Sequence, residues 1–306
     1  MAEDFAAGAY EAVLTEGLAR RLSGVDEKLL ELQRLRPADV ADRIAEVVAQ
    51  QLRLSLEAVP EDQRVATSVD TARVLIDALH AHLRQAKTVA DPPDSTGRVL
   101  NSIGQHQPDG TVRMASRPLI PLRDTTVLTN APGEPRVGSQ IKTEIDSADA
   151  IDVVMAFVRV SGILPLLEPL RQHCAQGRKL RLLTTTYTGS TEGKALQMLV
   201  DLGANVRVSY DTTGTRLHAK SWLFHRESAL STAYVGSSNL TYSAQTAGKE
   251  WNVRVSAARN PDAVKKISAV FDTYWASSDF VDFDGAEFEQ QLSRSRGTNT
   301  PSTVLS

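Results

Sequence analysis

The stretch that decides the reading is Arg216-Leu-His-Ala-Lys-Ser-Trp-Leu-Phe-His225, followed by Thr232-Ala-Tyr-Val-Gly-Ser-Ser-Asn-Leu240. Side chains two apart on an extended strand share a face, so His218 and Lys220 project together. An imidazole and an ammonium on one face suit a phosphate. The second run breaks at Gly236 and then offers Ser237 and Asn239, again two apart. Paired beside the first as a neighbouring strand, it brings two hydrogen-bonding side chains to the place where His218 and Lys220 point. Eleven residues after Asn239 comes Glu250, at the mouth of the alternating run Glu250-Trp-Asn-Val-Arg-Val-Ser256. A carboxylate there can hold the His218 ring in one tautomer.

Upstream of this core, Ala150-Ile-Asp-Val-Val-Met-Ala-Phe-Val158 is a near-continuous apolar run, the pattern of a strand covered on both faces. A helix is expected before it from Ser139 to about Ser147. Leu164 to Cys174 reads as a helix, Lys179 to Thr185 as a strand, Thr191 to Leu202 as a helix and Asn205 to Tyr210 as a strand. Strands alternating with helices of this length predict an α/β layered domain with a largely parallel centre. A helix from Asp262 to Trp275 closes it, with Val264, Ile267, Val270, Phe271 and Trp275 as its apolar stripe.

Further out, the apolar residues of Phe5–Leu22, Val40–Leu54 and Val69–Leu83 recur at the helical period, which predicts an N-terminal helical region over residues 1–88. Residues 89–125, with "ADPPDSTGR" and "HQPDGTVR", are rich in Pro, Gly and Asp and read as a loop-rich connector. The α/β domain is then expected over 126–288. Residues 289–306, ending "SRSRGTNTPSTVLS", read as a flexible tail.

The set His218-x-Lys220, Gly236-Ser237-x-Asn239 and Glu250 resembles the His-x-Lys, Gly-Ser-x-Asn, Glu signature of the phospholipase D superfamily. The wording around it, "LHAKSWLFHR", "STAYVGSSNLT" and "EWNVRVS", is similar to the nuclease-like domain at the N-terminus of bacterial superfamily-2 helicase and restriction proteins. "GAYEAVLTEGLARRL" and "LLTTTYTGSTEGKAL" resemble the same lineage. The resemblance implies a phospholipase-D-like mixed, largely parallel sheet flanked by helices. It also implies a phosphodiesterase acting on DNA in restriction or phage defence, with a helicase or ATPase as partner or fused domain. His218 would be the nucleophile, forming a phosphohistidine, while Lys220, Ser237 and Asn239 hold the nonbridging oxygens and Glu250 orients His218.

A second histidine must protonate the leaving oxygen, and the superfamily takes it from a second copy of the motif. No second His-x-Lys with a following Gly-Ser-x-Asn occurs in this chain. The resemblance therefore implies a homodimer with two His218 residues in one composite site. One departure stands out. The superfamily usually carries Asp five residues after the Lys, where this chain has His225. Seven residues along a strand from His218, His225 belongs on the opposite face.

Composition sets the remaining bounds. The 306 residues are 42% hydrophobic, enough for a sizeable core, and the net charge of −3 gives no bulk attraction to nucleic acid. Any DNA contact must come from local cations, of which Arg207, Arg216 and Arg226 are the main candidates beside Arg178, Lys179 and Arg181. The single cysteine, Cys174, excludes a disulfide framework or a cysteine-rich zinc site, and no metal-ligand cluster or cofactor motif is present. The absence of a signal-type segment or a long apolar run predicts a cytoplasmic protein with no membrane association.

Several other motifs read blandly. "GSTEGKAL" lacks the spacing and the Ser/Thr of a nucleotide loop. His80 and His82, two apart on a helix, do not face one another. His106 reads as a loop residue, and His173 as a surface helix residue. Trp222 and Trp251 read as core or flank ahead of base-stacking platforms, and the hydroxyls of Thr184, Thr185, Thr186 and Tyr187, near the expected site edge, as ordinary strand-end polarity ahead of contacts to substrate phosphates. An inactive DNA-binding or dimerisation module is the alternative function. A phospholipid hydrolase is less favoured because no interfacial helix or lipid anchor is evident.

Overall fold

The computed structural model describes residues 12–30, 32–83, 91–98, 105–106, 109–113, 118–187, 189–211, 217–246 and 248–297. The chain divides into two compact units, 1–101 and 102–306. In the first, three helices follow one another: α1 (Glu16–Leu22), α2 (Val40–Glu57) and α3 (Glu61–His82). Thr15 caps α1, its hydroxyl accepting from the Leu18 amide at 3.2 Å. The helical period is realised over these three spans, while the start of the first expected helix, residues 5–11, lies outside the described residues; none of these helices contains a buried residue.

The second unit opens with the two-stranded pair β1 (Gln105–His106) and β2 (Val112–Arg113). Its body runs β3 (Thr126–Leu128), α4 (Val137–Ser147), β4 (Ala150–Met155), α5 (Val160–Ile163), α6 (Leu167–Ala175), β5 (Lys179–Thr185), α7 (Gly193–Asp201), β6 (Asn205–Ser209), β7 (Lys220–His225), β8 (Thr232–Gly236), α8 (Tyr242–Thr246), β9 (Asn252–Ser256), α9 (Pro261–Ala276), β10 (Val281–Asp282) and α10 (Gly285–Gly297). Eight of these strands form one sheet in the order β10-β6-β5-β4-β7-β8-β9-β3.

Only β4, β5 and β6 pair in parallel; every other pairing in the sheet is antiparallel. The expected mixed α/β layering is present, but the parallel part is confined to three strands. The cause is connection length. Helical crossovers through α6 and α7 permit parallel pairing, whereas the short turn between β7 and β8 permits only a hairpin.

The strand alternation divides the core in two. Ile151, Val153, Met155, Trp222, Phe224 and Tyr234 face a large cluster built with α4, α6, α7 and α10. Val154, Leu183, Leu223 and Ala233 face α9, where Val264 and Phe271 cover them. The segment read as a tail from 289 instead continues α10 to Gly297, because Phe288 and Leu292 fall one turn apart and are buried in the large cluster. His173 corrects a second expectation. It is buried at 2% exposure, its Nε2 lies 3.2 Å from the Lys179 carbonyl oxygen, and burial pushes its pKa down.

Candidate active site

β7 begins at Lys220, so His218 lies just ahead of the strand, on the extended approach to it. Lys220 is buried and His218 is exposed. The Lys220 Nζ lies 3.1 Å from Nδ1 and 3.2 Å from Nε2 of His218, and donates to the His218 carbonyl oxygen at 2.6 Å. Burial pushes the Lys220 ammonium below the usual lysine range, with the charge of Glu250 opposing the shift.

Ser237 and Asn239 follow directly on β8, and the register of β8 between β7 and β9 carries them to the same end of the sheet. The Ser237 amide donates to the Trp251 carbonyl at 3.0 Å, and the Trp251 amide donates to Ser237 Oγ at 3.1 Å. This close pairing needs the glycine at 236. A Cβ there would lie 2.2 Å from the Trp251 carbonyl oxygen. The Ser237 hydroxyl donates to Glu250. Glu250 thus engages Ser237, where the sequence placed it on the His218 ring. The difference follows from strand pairing, since Glu250 and Trp251 run alongside Ser237.

Phe157, which the sequence did not single out, organises the other side. Its amide donates to Asn239 Oδ1 at 3.2 Å and its carbonyl accepts from the Leu240 amide at 3.1 Å. With its oxygen occupied, Asn239 turns its NH₂ end outward as a donor. The Phe157 ring meets His218 edge-on, with centroids 6.1 Å apart, and lies 5.8 Å from the Lys220 Nζ. No pattern in a single sequence marks this residue, because its role comes from a bridge between Val158 and Leu240 that are far apart in the chain.

A cleft of about 840 Å³ opens at these residues and runs between α9 and the sheet. His218, Lys220, Ser237 and Asn239 line one part of it; Val154, Leu223, Ile267, Val270 and Phe271 make most of the rest apolar. Asp152 also lines it. His225 does not join His218. Its Nε2 lies 2.7 Å from Asp152 Oδ2, and seven residues at a strand rise place it about 23 Å along the chain from His218. Asp152 comes from β4, beside β7 in the sheet. Arg181 donates to both Asp152 oxygens, at 2.6 and 2.7 Å, and to Asp272 at 2.9 Å.

The cations proposed for DNA contact need correction. Arg226, 7% exposed, lies under the sheet, where its guanidinium pairs with Glu144 and donates to Thr232 and Ser147. Arg254, completely buried, shares that carboxylate at 2.8 Å and donates to the carbonyls of Pro121 and Asp124. Arg207 binds Asp282 at 2.8 Å and the Trp275 carbonyl, and stacks on the Trp275 ring. Arg178 caps the end of α4 through the carbonyls of Asp146 and Ala148. Arg226 and Arg254 satisfy the buried Glu144 and are not available to track a backbone; Arg207 pairs with a carboxylate that is itself exposed, and Arg178 with a helix end. Lys179 is exposed, and Arg216 lies outside the described residues.

Of the hydroxyls at the end of β5, Thr185 Oγ1 accepts from the Tyr187 amide at 3.2 Å, which is local strand-end bonding. Among the described residues, no group of three or more His, Cys, Asp or Glu could hold a metal ion, and no helix is long and apolar enough to cross a membrane.

Comparison with known proteins bears on the same segment. Residues 141–275 match the family described as "Cardiolipin synthase, PLD-like domain". No curated protein matches the chain. Among solved structures, the chain is similar to Nuc, a phospholipase D family member from Salmonella typhimurium, at 18% identity and a TM-score of 0.40, over 52% of this chain and 99% of that one. It is also similar to NucT from Helicobacter pylori, at 12% identity and 0.42, over 52% and 99%. A third likeness is to the phosphatidylserine synthase of Haemophilus influenzae, at 8% identity and 0.39, over 60% and 47%. The segment from 141 to 275 is thus similar to a phospholipase-D-like domain, and its His-x-Lys and Gly-Ser-x-Asn runs come to one end of a helix-flanked mixed sheet.

Proposed function

We propose that this protein is a phosphodiesterase that cleaves DNA through a phosphohistidine, with no metal required. The observation that carries the reading is the Lys220 ammonium within 3.2 Å of both ring nitrogens of an exposed His218, at a cleft shared with Ser237 and Asn239. A phosphodiester resists attack because its charge repels nucleophiles and its leaving group is an alkoxide. Catalysis therefore needs a cation, a donor array and a proton source. Lys220 supplies the cation. Asn239 supplies a donor, and the Ser237 hydroxyl, whose one proton is given to Glu250 in this structure, becomes a donor by turning from that carboxylate to the phosphate.

In the first step a ring nitrogen of His218 attacks phosphorus; the P–N bond forms and the P–O bond to the leaving group breaks. The departing oxygen takes the electron pair and a proton. In this reading the proton comes from His218 of a second copy, which then removes a proton from water as that water displaces His218 from phosphorus. The absence of a second His-x-Lys in the sequence and the exposure of His218 support a homodimer with a composite site. The helicase partner and the role in restriction or phage defence rest on the sequence resemblance, as does the DNA substrate.

The test is cleavage of plasmid and oligonucleotide DNA in EDTA by the wild type and His218→Ala, with the mass in solution measured alongside. Metal-free cleavage by a dimer, abolished by the substitution, is the expected result. Equal silence of both proteins would leave a binding or dimerisation module. The apolar lining of the cleft favours one further reading, a phosphodiester carrying an apolar group such as a phospholipid, which hydrolysis of liposomes would reveal.

A further inference from the structure

The three tryptophans lie in opposite environments. Trp222 is 7% exposed in the large core and Trp275 packs beside Phe271, whereas Trp251 is 71% exposed. Scattered apolar residues on a surface need no explanation, but an indole this bare, on a segment whose backbone is bonded to Ser237, does. The backbone of Trp251 is fixed to Ser237 by hydrogen bonds in both directions, at 3.0 and 3.1 Å, and Gly236 permits the close approach. Its immediate neighbour in sequence is Glu250, whose carboxylate holds the Ser237 hydroxyl.

We infer that Trp251 is a stacking platform for an unpaired base flanking the scissile phosphate, and so biases the enzyme toward single-stranded nucleic acid. This rests on the nuclease reading above and adds a substrate class to it. The physical reasons are three. An indole presents a flat π-face that any base can cover without reading its edges, which suits a site with no base-reading motif. Its backbone is bonded to a residue proposed to hold the phosphate, so base and phosphorus are placed together. Finally, a base paired inside a duplex has no free face to offer.

A second copy of the chain is the competing cover. Val127, Val253 and Val235, register neighbours across β3, β9 and β8, are all partly exposed, and a protein surface could bury them together with the indole. What favours the base is position: Val235, the register partner of Val253, lines the same cleft as His218 and Ser237, so this apolar strip runs into the phosphate end of the site.

The experiment uses the full chain, a fluorescein-labelled single-stranded 12-mer, the corresponding duplex and bis(4-nitrophenyl) phosphate. The wild type should bind the single strand more tightly than the duplex, with quenching of indole fluorescence. Trp251→Ala should weaken single-strand binding by about tenfold to a hundredfold, and Trp251→Tyr should restore most of it. Unchanged binding by Trp251→Ala overturns the inference. So does conversion of a dimer to a monomer by that substitution, which would assign the indole to a subunit contact. If the wild type hydrolyses the small diester but does not bind the strand, the phosphodiesterase chemistry stands and the platform falls. Failure of both activities removes the two together.

Discussion

Glu250 hydrogen-bonds the hydroxyl of Ser237, thirteen residues before it in the chain. Ser237 Oγ also accepts from the Trp251 amide, so the hydroxyl is held from two sides. If the carboxylate acts through Ser237, the two residues form one unit. Ser237→Ala should lower kcat on the order of 10²–10³-fold, the usual cost of one donor to a developing charge. Glu250→Leu should lower it less, and should add little in the Ser237→Ala background. A full additive loss in the double variant would instead place Glu250 on another group.

Lys220 is predicted to set the alkaline limit of the proposed activity. Burial holds its pKa below the ordinary 10.5, against the opposing charge of Glu250. As pH rises through the depressed value the ammonium is lost, so the alkaline limb of kcat/KM should fall below pH 10.5. Lys220→Arg should carry that limb beyond the measurable range, with a lower plateau because a planar guanidinium does not reproduce the ammonium's position. The stability sign is the reverse of the activity sign. Between the two pKa values the unfolded lysine holds more proton than the folded one, so this group's contribution to stability rises with pH there. A pH–rate profile of both proteins decides the first point.

Arg226 is predicted to matter for stability and not for binding. Arg226→Ala leaves the completely buried Glu144 with one guanidinium fewer, and should cost about 3–5 kcal/mol in urea unfolding. The salt dependence of DNA binding, a count of neutralised phosphates, should not change. A reduced slope in that variant would return Arg226 to the nucleic-acid surface.

Asp152 gives an acid-dependent signature. Burial alone would raise its pKa, but hydrogen bonds from His225 and Arg181, with Arg181's charge, hold it below the ordinary 3.8. A depressed carboxyl contributes stability that is fully present above the unfolded value and is lost as pH falls through the folded one. Asp152→Asn should therefore be destabilised at pH 7, and the gap to wild type should narrow below pH 3.8. Unfolding curves at several pH values measure the gap; a constant difference down to pH 3 would contradict it.

The sequence by itself determined the α/β layering, the helical N-terminal region and the grouping of His218, Lys220, Ser237 and Asn239 at one end of the sheet. Each of these follows from local rules: periods of 3.6 and 2 residues, and a pair of strands that put residues two apart on one face. Only the tertiary structure decided which partner each charge takes. Strand pairing gave Glu250 to Ser237, and β4 supplied Asp152 to His225. Packing under the sheet withdrew Arg226 into a buried pair, and a bridge between distant segments brought Phe157 against His218 and Asn239. Partner choice depends on contacts between residues tens of positions apart. A periodic pattern fixes the face a side chain occupies, but not what the fold sets opposite that face.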